Sequence, residues 1–363
     1  MLICCTKKLL DQIGVKTQSI PEENDFFCWS ANLITINRRK AIVVVNDNNR
    51  YGFVLYGLKV KDFKDFDELI LQGIRLCLRD EKIKEEMIEK YIQSAGDLKI
   101  GKTRGRNYVA RLNKACERVD IFDDLLVLSE IFQKKSSRRM NADYIKNDKT
   151  ANYAHPYELL YMDFRQYYGD EIISCESVDL IIKLNLGKYN AWRKIITPDD
   201  ITFREFHEII QKAYNWKDYH LYEFNVLDHS ERSLVNIISE NEELYDINEE
   251  CEVQLDSEMK LKQYIKKNQK ILYCYDYGEN WEHQIIIQGS IADYDKNYPI
   301  CVLGEGNAPP EDVGGVYGYE AFVDIIKDAD NEEYESTKIW ARSQGYEDFD
   351  IEQVNYRLKG VLR

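Results

Sequence analysis

A chain of 363 residues is long enough for two domains, each with its own core. No apolar run approaches the ~20 residues needed to cross a bilayer, and the opening MLICCTKKLL breaks at Thr6-Lys7-Lys8, unlike a signal peptide. The net charge of −15 is unevenly spread: residues 1–170 hold 29 Lys+Arg and 25 Asp+Glu, residues 171–363 hold 20 and 39, so only the first part is free to approach nucleic acid.

These features read as a cytoplasmic protein with no membrane partner. Nine cysteines are scattered without a C-x-x-C pair, which excludes a zinc ribbon or a dithiol redox motif. Cys4-Cys5 lie in an apolar stretch and read as buried free thiols.

In chain order, residues 1–5 read as a short strand. Thr6 would cap a helix through Ile13, with Gly14 as its stop. Residues 31–37, 40–46 and 51–56 read as strands of a small antiparallel sheet, with Asp47-Asn48-Asn49 as turn chemistry. Residues 65–95 have helical period, with Leu69, Ile70, Ile74 and Leu78 as the apolar stripe. A second helical region spans about 107–133. Periodicity is lost over 134–170, where the inter-domain connection is placed.

The second pattern opens with a strand at 180–186 and its hairpin return at 192–196. Pro198-Asp199-Asp200 turns into a helix over 203–214, with Phe203, Phe206, Ile209, Ile210 and Ala213 at helical spacing. Residues 219–227, 251–255, 271–276 and 281–288 read as strands, 240–250 as an acidic loop, and helices return at 319–327 and toward the end. The expected fold is α+β in two domains, each a small mostly antiparallel sheet with packed helices. The second opens with a β-grasp-like hairpin–helix–strand order. The expected boundaries are 1–150, a connecting segment 151–176, and 177–363.

Two basic features fall in the first domain. Residues 96–103 match G-x-x-x-x-G-K-[ST], but the segment before them is charged and helical where a phosphate-binding loop needs an apolar strand, so the match reads as coincidental. Arg111, Lys114 and Arg118 recur on one helix face, with Leu112, Cys116 and Val119 facing inward. That stripe is either a solvated face or a set of nucleic-acid phosphate contacts. Only Tyr108 supplies an aromatic nearby.

Residues 271–320 carry the candidate chemistry. Alternation puts Trp281, His283, Ile285 and Ile287 on one strand face, and His220, Tyr222, Phe224 and Val226 on another, so both histidines are expected to point inward. Glu223, Asp276, Glu311 and Asp312 are their candidate hydrogen-bond partners. Pro309-Pro310-Glu311-Asp312-Val313-Gly314-Gly315 reads as a rigid loop, and Gly278 shapes the turn before Trp281. Four readings stand together: a divalent-metal site using His220, His283 and Asp312 with further carboxylates; a His–Asp acid–base pair; a ligand groove lined by Tyr275, Tyr277, Trp281 and Tyr317; and a structural polar cluster. No catalytic residue is assigned, and no cofactor is predicted beyond the divalent metal of the first reading.

The order of these residues carries a resemblance. Tyr275-Asp276-Tyr277-Gly278 runs into Trp281-Glu282-His283. Cys301, Gly304 and Gly306 lead to Pro309-Pro310-Glu311-Asp312 and Gly314-Gly315, followed by Gly318-Tyr319. Upstream stand Thr202-Phe203, Phe206-His207, Trp216 and His220-Leu221-Tyr222-Glu223-Phe224. From about residue 177 onward the chain resembles the plasmid pRiA4b ORF-3-like family. That resemblance implies an association with mobile elements and no settled activity. Relatives often carry cysteines flanking the PPED segment; Ala308 and Val313 stand there in this chain. The opening MLICCTKKLL, the block ANLITINRRKAIVVVNDNNRYGFVLYGLK and the segment KTRGRNYVARLNKA resemble a separate bacterial domain of unknown function.

The expectation drawn from all of this is a non-enzymatic binding or adaptor protein that takes a protein or small ligand at the YDYG/WEH/PPED region. The alternatives are a hydrolase-like metal-dependent enzyme using His220, His283, Asp276 and Asp312, and nucleic-acid binding through the basic helix.

Overall fold

The computed structural model describes residues 1–15, 17, 24–147, 152–228, 230–239, 252–265 and 269–363. The acidic loop expected over 240–250 lies outside them. The chain divides into two compact units, Met1–Ser174 with Arg363, and Cys175–Leu362.

The first unit is built on a five-stranded sheet. Its strands are β1 (Leu2–Cys5), β2 (Cys28–Ile36), β3 (Arg39–Asn46), β4 (Gly52–Leu58) and β5 (Lys99–Lys102), in the order β4-β3-β2-β1-β5. β2, β3 and β4 pair antiparallel, as expected, but β1 runs parallel to both β2 and β5. Burial on both faces explains why β1 and β3 read as unbroken apolar runs. In β3, Ile42 and Val44 enter one core while Ala41, Val43 and Val45 enter a second on the opposite face.

The helices α1 (Lys7–Ile13), α2 (Phe66–Asp80), α3 (Glu85–Ala95) and α4 (Arg106–Ile121) surround this sheet. The single helix expected over 65–95 is two. Lys82 takes a left-handed backbone (φ 59°) and breaks it, although no glycine or proline marks the place. Leu112, Cys116 and Val119 of α4 are buried against the second face, as expected.

The expectation of irregular structure over 134–170 is corrected. Two helices form there, α5 (Lys134–Asn141) and α6 (Pro156–Tyr168), with a short hairpin of β6 (Ile145–Lys146) and β7 (Tyr153–Ala154) between them. α5 has no apolar stripe because its buried face is polar. Ser137 Oγ accepts from the Val54 N–H at 3.0 Å, and the Asn141 amide both accepts from the Gly52 N–H (2.9 Å) and donates to the Gly52 carbonyl (2.7 Å). These side chains satisfy the open edge of β4 as a further strand would. α6 buries Tyr157, Leu160, Tyr161 and Phe164, a stripe half made of tyrosine and so easily taken for surface.

The second unit carries an eight-stranded sheet with its helices packed into a single core. The strands are β8 (Cys175–Leu186), β9 (Tyr189–Pro198), β10 (Tyr222–Leu227), β11 (Ser233–Ile238), β12 (Glu252–Leu255), β13 (Lys270–Tyr275), β14 (Trp281–Tyr294) and β15 (Ile300–Glu305). Their order is β12-β11-β10-β13-β14-β8-β9-β15, antiparallel except for β11–β12. α7 (Phe203–Tyr214) matches its expected span. Thr202 caps it, with Glu205 completing a capping box, and Asn215 ends it in the left-handed conformation. α8 (Gly315–Lys327), α9 (Tyr334–Ser343) and α10 (Ile351–Leu358) complete the unit. The hairpin–helix–strand order is present as β8–β9, α7 and β10, with β13 and β14 lying between the hairpin and β10.

Candidate metal centre

Three separate pieces of chain meet at one end of the β10–β13–β14 sheet. In the β13–β14 hairpin, Tyr275 stands opposite Trp281, and residues 276–280 make the reversal. Asp276 and Asn280 both take positive φ (58° and 54°), a conformation that short polar side chains tolerate. Asp276 Oδ1 accepts from the Gly278 N–H at 2.9 Å, and the Asp276 N–H donates to the Leu221 carbonyl at 2.9 Å. One carboxylate oxygen therefore fixes the turn. The other, Oδ2, lies 3.7 Å from His220 Nε2.

The third piece is the PPED loop. Asp312, again left-handed (φ 60°), places Oδ1 3.4 Å from the same His220 Nε2. One donor atom from each of His220, Asp276 and Asp312 lies within 4.8 Å of the other two. Asp276 is buried, His220 is half-buried and Asp312 faces solvent. One nitrogen and two carboxylate oxygens this close together could hold a divalent cation of the zinc, manganese or iron type.

The loop is bolted in place by its neighbour. Glu311 is buried; its Oε1 accepts from the Tyr275 hydroxyl (2.6 Å) and its Oε2 from the Lys217 N–H (3.0 Å). The Tyr275 oxygen also accepts from the Tyr219 N–H at 2.9 Å. Burial, and then the Glu311 carboxylate, push the Tyr275 hydroxyl far above the ordinary tyrosine range. Trp216 Nε1 donates to the Pro309 carbonyl at 2.9 Å, and the Gly314 N–H donates to Glu279 Oε1 at 2.6 Å. Gly314 and Gly315 take φ of 93° and 67°, and a Cβ on Gly315 would meet the Glu279 carbonyl at 3.0 Å.

Several expectations are corrected. His220 does not lie on β10: the strand begins at Tyr222, and His220 sits in the bend before it. His283 is buried, as alternation requires, but stands apart from the three-donor group, ringed by Tyr214, Trp216 and Tyr273. Its Nδ1 lies 3.1 Å from the Trp281 carbonyl, and burial pushes its pKa down to about 3. Trp281 and Tyr275 are core residues, whereas Tyr277 and Tyr317 reach solvent, so the four do not line one groove. Glu223 belongs to the outer sheet face, where it accepts from Asn236 Nδ2 at 2.8 Å.

His207, named above only as part of the resemblance and given no site role, proves to be a buried, hydrogen-bonded residue. It stacks on Tyr222 with ring centroids 3.5 Å apart and joins the Tyr273 hydroxyl and Asp218 Oδ1, each at 2.8 Å. Its place on the buried stripe of α7 was the available signal. In the first unit, residues 96–103 run from the end of α3 through a turn into β5, the reverse of a phosphate loop's strand-to-helix order. Arg111 Nη1 donates to the Asp47 carbonyl at 3.0 Å, Arg118 pairs with Asp143, and Lys114 is exposed.

A family model described as plasmid pRiA4b ORF-3-like protein matches residues 176–357, and one described as a domain of unknown function (DUF6933) matches residues 2–159. An uncharacterised protein, y4hQ, of Sinorhizobium fredii is 30% identical over 158 residues, which is 43% of this chain and 75% of the relative. The crystal structure of a protein of unknown function from Methanosarcina mazei Go1 is similar at 31% identity and a TM-score of 0.40, covering 48% of this chain and 93% of that one.

Proposed function

We propose, because this chain belongs to the plasmid pRiA4b ORF-3-like family and residues of three of its motifs stand close together, that the second unit is a binding module built on a divalent-cation site. One observation carries the reading: His220, Asp276 and Asp312, from three separate stretches of chain, bring their donor atoms within 4.8 Å of each other. The two carboxylates balance the charge of a divalent ion, and the imidazole favours zinc, manganese or iron over calcium or magnesium. Asp312 is exposed, so on this reading the outer side faces solvent. Coordination positions there would take a carboxylate, phosphate or imidazole from a small ligand or a protein partner. The cation thus serves as an anchor between module and ligand, a role that needs no nucleophile in the protein.

The test is calorimetric titration of chelator-treated protein with zinc and with manganese. One ion should bind per chain, and His220→Ala and Asp312→Asn should each weaken binding by about tenfold or more. Absence of stoichiometric binding, or wild-type affinity in both variants, would overturn the reading. His283→Ala should leave cation binding in place.

A further inference from the structure

Pattern along α4 shows a basic stripe with a single aromatic neighbour. The fold adds partners that lie far away in sequence. The β6–β7 hairpin and α5 close around α4 to form a cavity of about 270 Å³. Five cationic side chains line it: Arg50, Arg111, Lys114, Arg118 and Lys146. They face one carboxylate, Asp143, which is itself paired with Arg118 and Arg139. The lining is therefore strongly positive in a chain whose net charge is −15.

The second feature is aromatic. Tyr144 and Tyr153 are both 66% exposed and both line the cavity. Tyr144 packs on the His155 ring at 4.0 Å, and His155 stacks on Tyr157 at 5.0 Å, so the outer ring is braced from behind. Val45 and Met140 supply an apolar floor. A braced, solvent-facing ring beside a concentration of cations suits a ligand that is planar at one end and anionic at the other.

We propose that this cavity of the first unit binds single-stranded nucleic acid, seating one nucleotide with its base against Tyr144 or Tyr153 and its phosphates among the lysines and arginines. A duplex keeps its bases stacked within the helix, where exposed tyrosines cannot reach their faces, whereas a single strand offers both base and phosphate. A bare anion would leave the aromatic rim uncovered. This site is independent of the cation centre in the second unit.

The test is fluorescence anisotropy on the full chain with a labelled oligothymidylate of about twelve nucleotides, at about 50 mM salt. The strand should bind, and the affinity should fall as salt rises, with a log–log slope of about −0.7 for each phosphate engaged. Tyr153→Ala and Lys114→Glu alter exposed side chains and should each weaken binding about tenfold, with thermal unfolding unchanged. Lys114→Glu should also flatten the salt slope. No binding at low salt overturns the proposal, as does binding untouched by both variants. Equal affinity for a duplex would assign the effect to bulk charge alone, and capture of a mononucleotide without the strand would reassign the cavity; either outcome also overturns it.

Discussion

Glu311 and Asp312 are adjacent carboxylates with opposite work to do. Glu311 is buried and accepts from Tyr275 and from the Lys217 N–H, so Glu311→Ala leaves two donors without a partner. Its expected cost is about 2–4 kcal/mol in urea unfolding. Asp312 is exposed and faces Asp276 across His220. Asp312→Asn should change stability by no more than about 0.5 kcal/mol, while removing a proposed ligand charge. Equal losses of stability in the two variants would argue against this division. His283 makes a pH prediction. Its folded pKa, about 3, lies below the ordinary histidine value of 6.5, so between those limits the unfolded chain holds the extra proton. Stability is complete above about pH 6.5 and falls as pH drops toward 3, by about 2 kcal/mol at pH 5. Burial lowers the His207 pKa as well, against the pull of Asp218, and this acts in the same direction. Unfolding at pH 7 and pH 5 should show a smaller loss in His283→Leu than in the wild type; identical losses would remove His283 from the account.

At the scale of elements, α5 is the least conventional piece. Its Ser137 and Asn141 side chains stand in for a neighbouring strand along β4. Asn141→Ala should cost about 2–3 kcal/mol, because the Gly52 N–H and carbonyl both lose partners in a buried place. A loss below about 0.5 kcal/mol would show that water reaches that edge. The same helix shows where pattern reading stops. α7 was legible to the residue because a capping box and an apolar stripe agree. α5 was invisible because its buried face is polar, and α6 because Tyr157 and Tyr161 occupy core positions. The left-handed Lys82 split a continuous helical period without any sequence signal. At the site, alternation placed His283 in the core correctly. Extending β10 back to residue 219 then carried His220 inward with it; the strand begins three residues later, and His220 is left at the rim.

At the scale of the whole molecule, charge and chemistry divide along the same line. The proposed cation site lies in the unit that holds most of the acidic residues, and the basic cavity lies in the other. Two compact units need not unfold together, so calorimetry is expected to show two transitions. A bound divalent ion should raise only the one belonging to the second unit, by about 2.7 kcal/mol at a hundred times its dissociation constant. A shift of both transitions together would mean that the units melt as one body.

The backbone at Asp276 and Asp312 has a consequence for how such a chain can drift. Both positions sit at positive φ, where aspartate, asparagine and glycine are the residues that settle readily. Of those three, only aspartate brings a negative charge. On the proposed reading, a single Asp→Asn replacement at either position therefore keeps the turn and removes the charge that would hold the ion. A lineage could pass from cation-dependent to cation-independent in one step, with no trace in the outline of its fold.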